Sequence, residues 1–160
     1  MLFLTSIHAV TEAQKVKSGS FNLVLKTILS SKIPSVTVGD ISGLKNIVFM
    51  DCREKKEYDV SHIYHAIPVG YEDFNLSRVK FLSKEVRIVA YCSIGKRSEN
   101  ITRKLIAAGF VNTVNLYGGI FEWVNEGNPV YDNKDNKTNR VHAYGKFWGK
   151  FLNNAEKIYD

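Results

Sequence analysis

Three short runs of β-favouring residues constrain this fold more than any other feature. They are Ile47-Val48-Phe49-Met50, Arg87-Ile88-Val89-Ala90-Tyr91 and Thr113-Val114-Asn115-Leu116, and helix-patterned segments stand between them. The first run is apolar at every position, so both faces of its strand are buried, as in a parallel sheet covered on both sides. Val36-Thr37-Val38 and Ala66 to Val69 read as two further strands. Helices are expected from Phe21 to Leu29 (capped by Ser20 and ended by Pro34), Glu54 to Val60, Glu72 to Leu82, Glu99 to Ala108 and Ile120 to Asn125. In the fourth, Ile101, Leu105, Ile106 and Ala108 form the buried face and Gly109 sits where a helix-terminating glycine belongs; in the last, Trp123 points inward. Strand and helix in alternation imply an α/β domain with a parallel sheet, helices on both faces and right-handed crossovers. In such sheets ligands bind beyond the carboxyl ends of the strands.

Cys92-Ser93-Ile94-Gly95-Lys96-Arg97-Ser98 falls at such an end, directly before a helix. Backbone N–H groups at the start of a helix point at whatever precedes it, and the helix dipole adds partial positive charge there. With Lys96 and Arg97 beside it, Cys92 is expected to ionise well below the free value of about 8.5. The same cradle would hold an anion. A lone cysteine at a strand end is more commonly a small buried apolar residue. The glycine and paired basic residues favour the reactive reading.

The loop resembles the active-site loop of the rhodaneses, single-domain sulfurtransferases among them, whose cysteine carries a persulfide. Two further segments are similar to family signatures: Asp51-Cys52-Arg53 through Ser61-His62-Ile63 and His65-Ala66-Ile67-Pro68, and Gly109 through Gly118-Gly119-Ile120 and Trp123 to Gly127-Asn128-Pro129-Val130. Ser61 and His65 stand where the family usually has glycine. The resemblance spans about residues 34–130 and implies a five-stranded parallel sheet. It also implies that Cys92 takes the outer sulfur of a donor such as thiosulfate and passes it to a thiol or an acceptor protein, by covalent catalysis in two half-reactions. The N–H groups of Ser93, Ile94, Gly95, Lys96, Arg97 and Ser98 would hold the persulfide. Lys96 and Arg97 would bind the donor's sulfonate, Arg97 by a two-pronged contact, while Ser98 is alternatively a helix cap. Asp51, Arg53, Glu54 and Glu57 read as a structural ion-pair and capping group. Cys52, on the neighbouring strand, is a packing residue or a thiol able to resolve the persulfide to a disulfide.

Two other classes compete. Cysteine phosphatases and arsenate reductases of related fold need five residues between cysteine and arginine to encircle a phosphoryl group; here four intervene. A rhodanese-like module that only binds a partner or senses redox state is the second. No cofactor or metal is expected, since two cysteines and scattered histidines (His8, His62, His65, His142) have no zinc spacing. The formal charge of +6 is spread along the chain without an aromatic RNA-binding signature, so the expected partners are a small anionic sulfur donor and a sulfur acceptor rather than nucleic acid. No apolar stretch approaches the ~20 residues of a membrane span.

Outside residues 34–130 the chain carries an extension at each end, residues 1–33 being a helical one. Met1 to Ala9 is apolar but lacks a basic region before it, so cytoplasmic residence is expected, with export the alternative if this is a truncated signal peptide. After the polar linker Asp132 to Asn139, apolar and aromatic residues from Val141 to Tyr159 recur at spacings of three and four, which predicts an amphipathic C-terminal helix. It would dock on its own domain against the Phe21–Leu29 helix, or serve as a dimer, partner or membrane-surface contact.

Overall fold

The computed structural model describes residues 16–160. The apolar segment Met1 to Ala9 lies outside them. A five-stranded, all-parallel sheet has the order β1-β5-β4-β2-β3, formed by β1 (Ser35–Val36), β2 (Ile47–Asp51), β3 (Ile67–Pro68), β4 (Arg87–Tyr91) and β5 (Thr113–Leu116). Central β4 shows why its sequence reads as a strand buried on both faces. Ile88 and Ala90 pack into one apolar cluster with Met50, Ile101 and Leu105; Val89 and Tyr91 pack into the other with Phe21, Leu25 and Ile120.

Helices α1 (Gly19–Ile28), α2 (Val38–Ile41), α3 (Lys55–Val60), α4 (Lys96–Ala107) and α5 (Gly119–Asn125) connect or cover the strands. The cap of α1 is Ser18 rather than Ser20, its hydroxyl accepting the Phe21 N–H. Val38 opens α2 instead of ending β1, because Thr37 and Asp40 form a capping box there. The helix expected over Glu72 to Leu82 is reduced to one 3₁₀ turn, Leu76–Val79. Asn75 caps that turn and Arg78 reaches back to Asp73 and the Val69 carbonyl, local bonds that compete with a continuous helix.

The C-terminal helix does not form. The segment holds a hairpin of β6 (Val130–Tyr131) and β7 (Lys137–Thr138), then β8 (Arg140–His142), a 3₁₀ turn (Trp148–Phe151) and β9 (Glu156–Ile158), with β8 and β9 parallel. Gly145 and Gly149 disfavour a helix across the middle. This segment packs on its own domain: Val141, Ala143 and Leu152 are fully buried, and Phe151 stacks on Phe21 of α1 at 4.9 Å. Among the described residues no helix is long and apolar enough to cross a membrane.

Candidate active site

The chain runs outward from β2 to β3, then returns across to β4 and β5, so the strand order reverses between β2 and β4. Cys52 and Cys92 follow these two strands, whose register pairs Asp51 with Tyr91, and the site opens there. Cys92 is almost fully buried, and the Gly95 N–H points at its sulfur, N to Sγ 3.2 Å. Gly95 caps α4 with φ of +108°, a left-handed turn that folds the amide back over the thiol.

Two buried residues outside the loop hold its shape. Asn115 on β5 donates to the Gly95 carbonyl at 3.0 Å and accepts from the Ser98 hydroxyl at 2.6 Å. Ser98 is thus a fully buried brace in the first turn of α4; it neither caps the helix nor lines the pocket. Gly119, at φ +59°, lets α5 press on the floor of the loop: a Cβ there would overlap the carbonyl oxygens of Cys92 and Ser93, which accept from the Ile120 and Phe121 N–H groups. Asn115 carries no motif signal, since an asparagine in an apolar run reads as a strand irregularity.

The two loop cations are not free. Arg97 places both prongs of its guanidinium on Glu57, at 2.6 and 2.7 Å, and donates to the Ser93 hydroxyl, which donates to Glu57 in turn. Glu57 also takes the Glu54 N–H, as the reciprocal half of a capping box for α3. Burial pushes the Glu57 carboxyl up, but hydrogen bonds and charge from Arg97, with Arg53 behind, hold it below its usual range. Lys96 donates to the Ile28 carbonyl at 2.7 Å and to Glu99 at 3.0 Å. Glu99 meanwhile accepts the Ser30 N–H, tying α1 to α4. The two-pronged sulfonate contact expected of Arg97 is therefore occupied by Glu57, and Glu57 belongs to the site rather than only to a remote ion-pair group. The remote group is Asp51 with Arg53, fully buried, Arg53 also donating to the Ser61 carbonyl.

Cys52 is buried beside the site, its thiol directed at the Met50 carbonyl. Burial, then the neighbouring Cys92 and Asp51, push that thiol well up. Both cysteines are free thiols. His65 adopts φ +56°, the left-handed conformation that suits the glycine usual in rhodaneses, whereas Ser61 is extended backbone.

A cavity of about 150 Å³ over the sulfur is lined by Cys92, Ser93, Ile94, Lys96, Arg97, Tyr144 and Trp148. Tyr144 and Trp148 come from the C-terminal segment. Tyr144 lies over the Arg97 guanidinium at 4.8 Å and has φ +64°, strain of about 1–3 kcal/mol for a bulky residue. Sequence periodicity assigned both residues to a helix face; only the turn between β8 and the 3₁₀ segment brings them over Cys92. Among the described residues no group of His, Cys, Asp and Glu could hold a metal ion.

Comparison with known proteins agrees with this geometry. The chain is 29% identical over 137 residues to a tRNA uridine(34) hydroxylase of Buchnera aphidicola, covering 74% of this chain and 42% of that protein. A shorter match of 82 residues, 37% identical, covers 48% of this chain and 23% of the hydroxylase of Hamiltonella defensa. The chain thus spans less than half the length of these curated relatives. Among solved structures, a rhodanese-related protein of Thermoplasma volcanium superposes with a TM-score of 0.52 at 26% identity, covering 60% of this chain and 95% of that one. A thiosulfate sulfurtransferase of Pseudomonas aeruginosa superposes at 0.58 and 20% identity, over 81% of this chain and 25% of that one, and shares the fold. The rhodanese-like domain family's sequence model matches residues 37–126, which contain β2, β4, the cysteine loop and the Gly118-Gly119 support. On its fold, its loop and this match, the chain belongs to the rhodanese-like domain family.

Proposed function

We propose that this protein is a sulfurtransferase that carries a sulfane sulfur on Cys92. The observation that carries the reading is Cys92 seated under the turn Ser93-Ile94-Gly95 before α4, with the Gly95 N–H directed at its sulfur. In the first half-reaction the Cys92 thiolate attacks the outer sulfur of thiosulfate or a related donor. The new S–S bond forms as the donor's own S–S bond breaks, and sulfite leaves with that electron pair. The persulfide sits among the backbone N–H groups of the loop. In the second half-reaction an acceptor thiolate attacks the outer sulfur, and Cys92 leaves as a thiolate. Arg97 and Glu57 hold the loop open to the cavity, and no separate base is required.

Incubation with thiosulfate or methanethiosulfonate, followed by intact mass measurement, should add one sulfur atom to the wild type and none to Cys92→Ser. A serine hydroxyl forms no persulfide. A wild type that takes up no sulfur yet hydrolyses an aryl phosphate through Cys92 would make it a phosphatase. The name borne by the Buchnera relative favours a second reading, action on a tRNA uridine. Gain of one oxygen on that base when the tRNA is incubated with dioxygen as oxidant, absent with Cys92→Ser, would carry this reading over sulfur transfer.

A further inference from the structure

We infer that Tyr144 and Trp148 determine the donor: an organic sulfane-sulfur compound with a flat apolar group, R–SO₂–S⁻ or R–S–S⁻, in preference to inorganic thiosulfate. The inference rests on the sulfur-transfer reading and names its substrate class.

Three independent features of the cavity agree. Its two cations are already matched, Arg97 by Glu57 and Lys96 by Glu99, so a dianion would have to draw them off carboxylates that are themselves almost fully buried. Its remaining walls are Ser93, whose hydroxyl is engaged with Glu57 and Arg97, and the side chains of Ile94, Tyr144 and Trp148, the last three offering an apolar slot beside the sulfur. Finally, the fold supports the Tyr144 ring in an unfavourable place. The residue has a left-handed backbone, its N–H is tied to His142 Nδ1 at 3.1 Å, and its ring covers Arg97. A ring on Arg97 engages that charge and presents a face for a second ring. Both aromatic residues lie beyond the stretch that the family's sequence model matches, so this wall is supplied by the chain's own C-terminal segment.

For the organic donor the balance is the same as for thiosulfate. Cys92 thiolate bonds to the terminal sulfur of R–SO₂–S⁻, the donor S–S bond breaks, and the sulfinate R–SO₂⁻ leaves with the electron pair; from R–S–S⁻ the thiolate R–S⁻ leaves in the same way. Charge is conserved, and no oxidant or reductant enters.

Three sodium salts separate charge from shape: thiosulfate, methanethiosulfonate (one charge fewer) and benzenethiosulfonate (the same charge with a ring). Rates of Cys92 persulfide formation on the full chain should rise in that order. Trp148→Ala and Tyr144→Gly (glycine suits the left-handed turn) should each reduce the benzenethiosulfonate-to-methanethiosulfonate ratio about fivefold, the worth of one ring contact. Trp148→Phe should restore part of it. Thiosulfate as the fastest donor, or equal loss with both thiosulfonates in the two truncating variants, would overturn the assignment while leaving sulfur transfer intact. Failure of all three donors to modify Cys92 would instead overturn the sulfurtransferase reading.

Discussion

Replacing Glu57 by glutamine should destabilise the fold and do so only above the acid range. The Glu57 carboxylate is 1% exposed and accepts from both prongs of Arg97, from the Ser93 hydroxyl and from the Glu54 N–H. Breaking a buried pair by altering one partner costs about 3–5 kcal/mol, because the other charge stays in place without its counterion. Arg97 is 14% exposed, so water relieves it in part, and glutamine keeps one acceptor oxygen. The lower end, about 3 kcal/mol, is therefore expected. For a chain of this size that lowers Tm by roughly 6–12 °C. The pH dependence follows from the carboxyl's depressed folded value. Its contribution is complete above the unfolded glutamate value of about 4.3 and is lost as pH falls through the lower folded value. Urea unfolding of wild type and Glu57→Gln should show the full gap at pH 7, narrowing below about pH 4. A gap of the same size at pH 3.5 and pH 7 would refute the charge-pair argument, and no gap at either would refute the geometry. The variant also leaves the Arg97 charge unmatched, so thiosulfate should gain on the thiosulfonates as donor.

Gly119→Ala should cost about 2–4 kcal/mol and impair sulfur uptake, because its Cβ overlaps the carbonyl oxygens beneath the loop at a left-handed φ; normal uptake with an unchanged Tm would argue against that close approach. Ending the chain after Asn139 removes fully buried Val141, Ala143 and Leu152 and the ring that stacks on Phe21. At about 1.5–3 kcal/mol for each large apolar side chain, the loss approaches the whole stability of a domain. Calorimetry should find no cooperative transition, and a truncated chain with the wild-type Tm would show that the segment is only an appendage.

The sheet and the cysteine loop are legible in the sequence because short-range physics specifies them. Apolar residues at successive positions from Ile47 to Met50 read as a strand covered on both faces, and β2, β4 and β5 occupy the segments the residue pattern marks. Cys92 before Gly95 and a helical run places a thiol at a helix start whatever the rest of the chain does. The partners of the loop cations depend instead on tertiary structure. Nothing local to Arg97 indicates that Glu57, forty residues earlier, arrives within 2.6 Å once β2 and β4 pair, or that Lys96 reaches the Ile28 carbonyl. The C-terminal segment shows the same limit. Spacings of three and four from Val141 to Tyr159 fit a helix in isolation. In the fold, β8 and β9 pair, and Leu152 and Phe151 find the core through a turn. Local patterns specify elements because their bonds close within a few residues. The charge and shape of the cavity over Cys92 are set by side chains that meet only when distant strands take their register.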